Sequence, residues 1–143
     1  MASRRKGRIL AFQALYCWDC AGTPVEDLAP FPWADGTGAV LDDGVSAFAR
    51  LLLAGTVENV ASIDGMIKRH LQNWDISRLN RVDLAIMRMS VYALMFQQEV
   101  APSIVIDEAI GISREFGTDD SFRFVNGVLD GIRRTLLAER AGD

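Results

Sequence analysis

The chain has 143 residues, half of them hydrophobic and 24% charged, with a formal net charge of −4 at pH 7. That length fits one domain with a core of its own, expected to span 1–143, and the composition suits a soluble globular protein. No apolar run approaches the roughly 20 residues that cross a bilayer, and the opening MASRRKGRIL lacks the apolar core of a secretory signal. The expectation is a cytoplasmic protein with no membrane association.

The charge is unevenly placed. Arg4, Arg5, Lys6 and Arg8 put four of the 15 basic residues within the first eight positions, leaving 11 against 19 acidic residues over the rest. A short basic arm, 1–6, on an acidic body suits a small phosphate-bearing footprint better than general adhesion to duplex nucleic acid. A solvated terminus is the alternative.

In chain order the elements read as helices. From about Arg5 to Cys20, Ile9, Phe12 and Tyr16 recur at helical spacing, with Leu15 and Trp18 widening the face. Cys17 and Cys20 form a C-x-x-C pair without a second pair, and His70 is the only histidine. No metal or other cofactor is therefore expected, and the cysteines read as small core or surface residues. Residues 22–40, rich in proline and glycine, read as an irregular connection whose Phe31 and Trp33 tuck against the body, an exposed binding loop being the alternative.

Residues 43–60 read as a helix, and SIDGMIKRHLQNW continues or restarts one after a break near Ala61. Next comes Ser77 to Gln97, with Ser77 or Asn80 as N-cap. Leu79, Val82, Ile86, Met89, Ala93 and Phe96 form one apolar stripe there, and Leu84, Met87, Val91 and Leu94 a second. That helix is expected to be buried on much of its circumference, with Arg81, Arg88 and Tyr92 sharing its polar side. Pro102 marks a break before SIVIDEAIGISREFG, whose Gly117 is placed for a left-handed C-terminal cap. TDDS then supplies helix-start residues for the last helix. No strand-period alternation competes with this all-α reading.

Enzyme templates find no match: there is no phosphate-cradling glycine loop, no G-x-S-x-G and no H-E-x-x-H. The acidic pairs Asp42 with Asp43, Asp107 with Glu108, and Asp119 with Asp120 read as caps and solvated surface. Binding is the remaining class.

In SFRFVNGVLDGIRR the core stripe is Phe122, Val125, Leu129, Ile132 and Leu136, and Phe124 lies about 200° from Phe122. Gly127, Val128 and Gly131 share the face of Phe124, where the glycines suit a close approach to the backbone. Two readings of that approach stand: another helix of the same domain, or a nucleobase stacked on the ring with Arg123 meeting a phosphate. Asp83 also has two readings. It is three residues beyond Asn80, a capping-box position, and it falls within an apolar arc where it could face a cation of a partner protein.

The segments RRKGRILAFQALY, RVDLAIMRMSVYAL and IVIDEAIGISREFGTDDSFRFVNGVLD, in this order and at these distances, resemble the NusB family of bacterial transcription antitermination factors. The match covers most of the chain outside Gly22 to Val40, and FVNGVLD after EFG and an acidic turn is its most specific part. The resemblance implies one compact all-α domain of about six to seven helices in two small packed bundles, without catalytic activity. It implies pairing with NusE, a small-subunit ribosomal protein, and binding of single-stranded boxA RNA in nascent transcripts, including ribosomal RNA leaders. RNA polymerase in its elongation complex would be engaged indirectly, and family members differ in whether they form homodimers without the partner.

By position, the resemblance assigns Arg4, Arg5, Lys6, Arg8, Asp120, Arg123 and Phe124 to the RNA surface. It assigns Asp83, and Tyr16 less directly, to the partner surface. The proline-rich 22–40 connection departs from the pattern and leaves the local path there open. Two other uses of such a domain stand beside this one: a detached module serving a ribosomal RNA methyltransferase, and a helical protein–protein adaptor.

Overall fold

The computed structural model describes residues 2–37, 43–72 and 75–142. The end of the 22–40 connection, Asp42 and Trp74 lie outside the described residues. Seven α-helices and two short 3-10 turns make up the described part, and it contains no strand. The elements are α1 (Ala2–Ala21), α2 (Val25–Leu28), α3 (Asp43–Glu58), α4 (Val60–Lys68), α5 (Arg81–Phe96), α6 (Pro102–Phe116) and α7 (Ser121–Ala141). Asn59 separates α3 from α4, so the run restarts as a second helix.

Two bundles share α5. On one side α1 packs along α3, and on the other α6 packs along α7, while α5 touches α1, α3, α4, α6 and α7. Every residue of α5 from Asp83 to Leu94 is buried, as its double apolar stripe requires. Asn80 caps it, its side-chain oxygen accepting from the N–H groups of Val82 and Asp83. At the end of α1, Gly22 takes φ +69°, the left-handed geometry that stops a helix cheaply only at glycine. Beyond it Phe31 is fully buried and meets Trp33 edge-on at 5.7 Å, and the Trp33 indole N–H donates to Gln13 at 3.0 Å. The connection is therefore fastened to α1 by its aromatics.

Two sequence expectations are corrected here. Gly117 has φ −92° and ψ −169°, an extended conformation and not a left-handed cap. Its glycine serves space: a Cβ there would stand 2.6 Å from the Ser121 side chain and 2.7 Å from the Ser113 carbonyl, so the α6–α7 corner closes only over a bare Cα. Likewise Arg88 and Tyr92 are not on a solvated side of α5. Tyr92 is buried over Gly55, and Arg88 is 8% exposed.

Arg88 is bonded by two nitrogens, each at 2.9 Å, to the Asp64 carboxylate on α4, and lies 3.5 Å from Asp19 on α1. Asp19 also takes Arg81 at 3.1 Å. A buried guanidinium is tolerable because two carboxylates surround it, and it ties three helices at one point. Arg88→Ala would leave the half-buried Asp64 carboxylate without a partner and Asp19 with Arg81 alone. It is expected to lower unfolding stability by about 3–5 kcal/mol, measured by urea unfolding; a loss under about 1 kcal/mol would mean the network carries little.

Candidate nucleic-acid interface

The basic start is helical, and its cations point to different neighbours. Arg5 and Arg8 share one carboxylate, Glu108 of α6: Arg5 bonds one oxygen, and Arg8 donates to the other at 3.0 Å. Arg4 and Arg8 also stand over the Phe48 ring of α3, at 4.3 and 5.4 Å from its centroid. Lys6 is exposed and has no partner among the described residues. Glu108 is thus no solvated surface acid, as the sequence suggested. It is half-buried and holds the arm against α6.

The Arg5 guanidinium rests on Gly111, where an added Cβ would come within 2.5 Å of it. Three residues on, Arg114 reaches across to α7 and stands 4.5 Å from the centroid of the Phe122 ring. Arg123 lies 5.1 Å from the same ring and 3.6 Å from Asp120, with the Arg123 and Asp120 side chains 74% and 90% exposed. So α6 stands between the two ends of the chain, taking α1's arginines on Glu108 and packing α7 along its length. The basic start and the acidic turn are joined through α6.

The two phenylalanines exchange roles relative to the wheel reading. Phe124 is half-buried and packs against the core, whereas Phe122 is half-buried beneath two arginines and is not part of the core cluster. The glycines on the face of Phe124 divide as well. A Cβ added at Gly131 would stand 3.0 Å from the His70 ring, itself fixed by Met66 O and Thr135 Oγ1, so a neighbouring element of the same chain accounts for that glycine. Gly127 faces open space.

Asp83 and Phe124 line one cleft of about 310 Å³ with Arg78, Leu79 and Asn80. Asp83 is 6% exposed, and its Oδ1 has no hydrogen-bond partner. Burial raises its pKa above the ordinary carboxylate value, and the nearby Ser121 hydroxyl opposes that only in part. Tyr16, 39% exposed, lines a second, apolar cleft of about 340 Å³ with Phe12, Trp33, Val82 and Phe116. Val82 and Asp83, successive residues of the first turn of α5, each line one of the two clefts. Cys17 and Cys20 are free thiols, and the described residues contain no group of three His, Cys, Asp or Glu suited to a metal ion. No described helix is long and apolar enough to cross a membrane.

What the sequence reading missed is Glu108, Arg114 and Phe122. No local signal pairs residue 5 with 108 or 114 with 122; both depend on how α6 is placed against its neighbours.

An all-helical protein of two packed bundles, carrying cations over half-buried aromatics at one surface and no catalytic constellation among its described residues, is the class that fold and site define. The NusB family model matches residues 5–134. The chain is 50% identical over 130 residues to the transcription antitermination protein NusB of Treponema denticola, covering 91% of this chain and 95% of that protein. Among solved structures it is similar to T. maritima NusB, with 34% identity, a TM-score of 0.79, and 92% and 90% of the two chains covered. It is also similar to a chain of the complex of the antitermination factors NusB and NusE with double-stranded RNA, with 27% identity, a TM-score of 0.83, and 94% and 98% covered. The chain belongs to the NusB family, whose curated relatives are named for transcription antitermination and not for a catalysed reaction.

The Asp83 burial has a measurable consequence. Because its folded-state pKa is raised, the ionised form is disfavoured by folding: that penalty is absent below the unfolded pKa and grows as pH rises through the folded pKa. Asp83→Asn is therefore expected to raise the thermal midpoint at pH 7 and to leave it nearly unchanged at pH 3. A lower midpoint at pH 7 would mean that the carboxylate stabilises the free chain.

Proposed function

We propose that the chain is a cytoplasmic transcription antitermination factor, acting as one RNA-binding domain over 1–143, that pairs with NusE to bind boxA RNA in nascent transcripts. The observation that carries this reading is the joining of Arg5 and Arg8, through Glu108, to the helix whose Arg114 meets the Phe122–Arg123 turn. Arg4, Arg5, Lys6, Arg8, Arg123 and Phe124 contact the transcript in this reading, and Asp120 flanks its backbone. Positive charge gathered at this surface on an otherwise acidic chain favours local capture of phosphates.

Asp83 and Tyr16 form the partner surface. A buried carboxylate oxygen without a donor is a liability in the free chain, and a lysine or arginine of the partner placed in the cleft would offset it. The apolar cleft beside Tyr16 supplies area for the same partner. Since Phe124 and Asp83 share a cleft, partner and RNA meet at the start of α7.

The transcript is bound as a single strand, because an A-form duplex hides its base edges and an unpaired base can stack on a ring. The test titrates labelled boxA RNA with the chain and equimolar NusE at several salt concentrations, with a duplex of the same sequence as competitor. With about four phosphates neutralised, the log–log salt slope is expected near −3, from roughly −0.7 per phosphate. Preference for the duplex would replace single-strand reading by shape recognition. Binding of NusE with no RNA bound at any salt would leave a protein adaptor.

A further inference from the structure

Phe122 and Arg114 stand outside the seven residues assigned above to RNA, yet with Arg123 they form an organised cationic group on this face. The ring of Phe122 is flanked by two guanidinium carbons, Arg114 from α6 at 4.5 Å and Arg123 from its own turn at 5.1 Å. Such contacts hold flexible cations in place. They also hold two like charges beside one ring, and the summed positive potential there favours an anion. Arg114 has no carboxylate within ion-pair distance among the described residues. Arg123 has only Asp120, in a fully hydrated pair that is readily exchanged. Asp107 and Glu115, the exposed acids of α6, pair with neither arginine.

The aromatic ring fixes the geometry, and the guanidiniums choose the ligand. With its ring engaged by two cations, Phe122 is a spacer and not a stacking platform. Each planar guanidinium presents a fork of parallel donors matched to the oxygens of a phosphodiester. The placement favours RNA over an acidic peptide, because Arg5 lies against Gly111, one helical turn before Arg114. Arginines thus follow one another from α1 over α6 to α7, as a nucleic acid backbone requires and a single acidic side chain does not.

We propose that Arg114, Phe122 and Arg123 form a clamp for one backbone phosphate of the bound RNA strand, extending the track from the basic arm to α7. This rests on the RNA-binding reading above and adds a subsite to it. When the phosphate enters, Asp120 gives up Arg123.

The test uses the full chain with equimolar NusE and a labelled single-stranded boxA RNA, comparing the unaltered protein with Arg114→Gln and Phe122→Leu over a salt series. Arg114→Gln is expected to weaken binding roughly tenfold at low salt, the scale of one charge-assisted contact, and to reduce the salt slope by about 0.7. Phe122→Leu keeps every charge; it is expected to weaken binding with the slope nearly unchanged, because the cations are no longer held together. RNAs carrying one neutral methylphosphonate, placed in turn at each linkage, should contain one linkage whose neutralisation weakens the unaltered protein and not Arg114→Gln.

If the unaltered chain binds RNA and Arg114→Gln matches it in affinity and slope, the clamp is wrong and the RNA-binding reading stands. If Arg114→Gln instead loses NusE in the absence of RNA, the surface docks protein and the clamp is again wrong. If the unaltered chain binds no RNA, the reading beneath the clamp fails with it. Arg114 is exposed, so its variant is not expected to disturb the fold, and an unchanged thermal midpoint confirms the comparison.

Discussion

One carboxylate organises the basic start of this molecule. Four cations at a chain start repel one another, and left alone they favour a frayed, solvated end. Glu108 removes that tendency by bonding Arg5 and Arg8 together, from a half-buried position on α6 where the pair is screened less than at a surface. The arm thereby becomes the first turns of α1, and its remaining charge acquires a fixed direction. Helix α6 then carries the same surface onward through Gly111 and Arg114 to α7. Helix α5 packs against both α1 and α6, and its buried Arg88 ties it to α1 and α4.

Periodicity made much of this legible. The two stripes of α5 required burial on most sides, and Asn80 was readable as its cap because capping is a local event, decided by residues two and three positions away. The break at Asn59 fell within two residues of its expected place. What periodicity could not supply was the direction of neighbouring helices. On α7, Val125, Leu129, Ile132 and Leu136 fix the centre of the buried arc. From that centre Phe122 lies about 50° to one side and Phe124 about 110° to the other.

A wheel favours Phe122 for the core, but α5 extends the arc the other way, burying Ser121 and Val128 and drawing Phe124 inward. Arg114 waits on the side of Phe122. The same limit explains Arg88, whose polarity suggested solvent. A charged residue in an apolar helix is read correctly only when its partners, Asp64 and Asp19 from two other helices, are known. Gly117 looked like a backbone device and is a packing device, because the nearness of Ser121 is a property of the α6–α7 corner.

In the proposed function, transcript and partner surfaces meet around the first turn of α7, where Phe124 and Asp83 share a cleft and Phe122 stands beneath its two arginines. The account makes Glu108 a positioning residue for the transcript, and charge alone predicts the opposite. The most direct test is the affinity of Glu108→Gln, with equimolar NusE, for single-stranded boxA RNA. Removing a negative charge beside the arm should tighten binding if the arm acts only through its field. If Glu108 acts by fixing Arg5 and Arg8, the account predicts binding several-fold weaker with the fold intact; equal or tighter binding would contradict it.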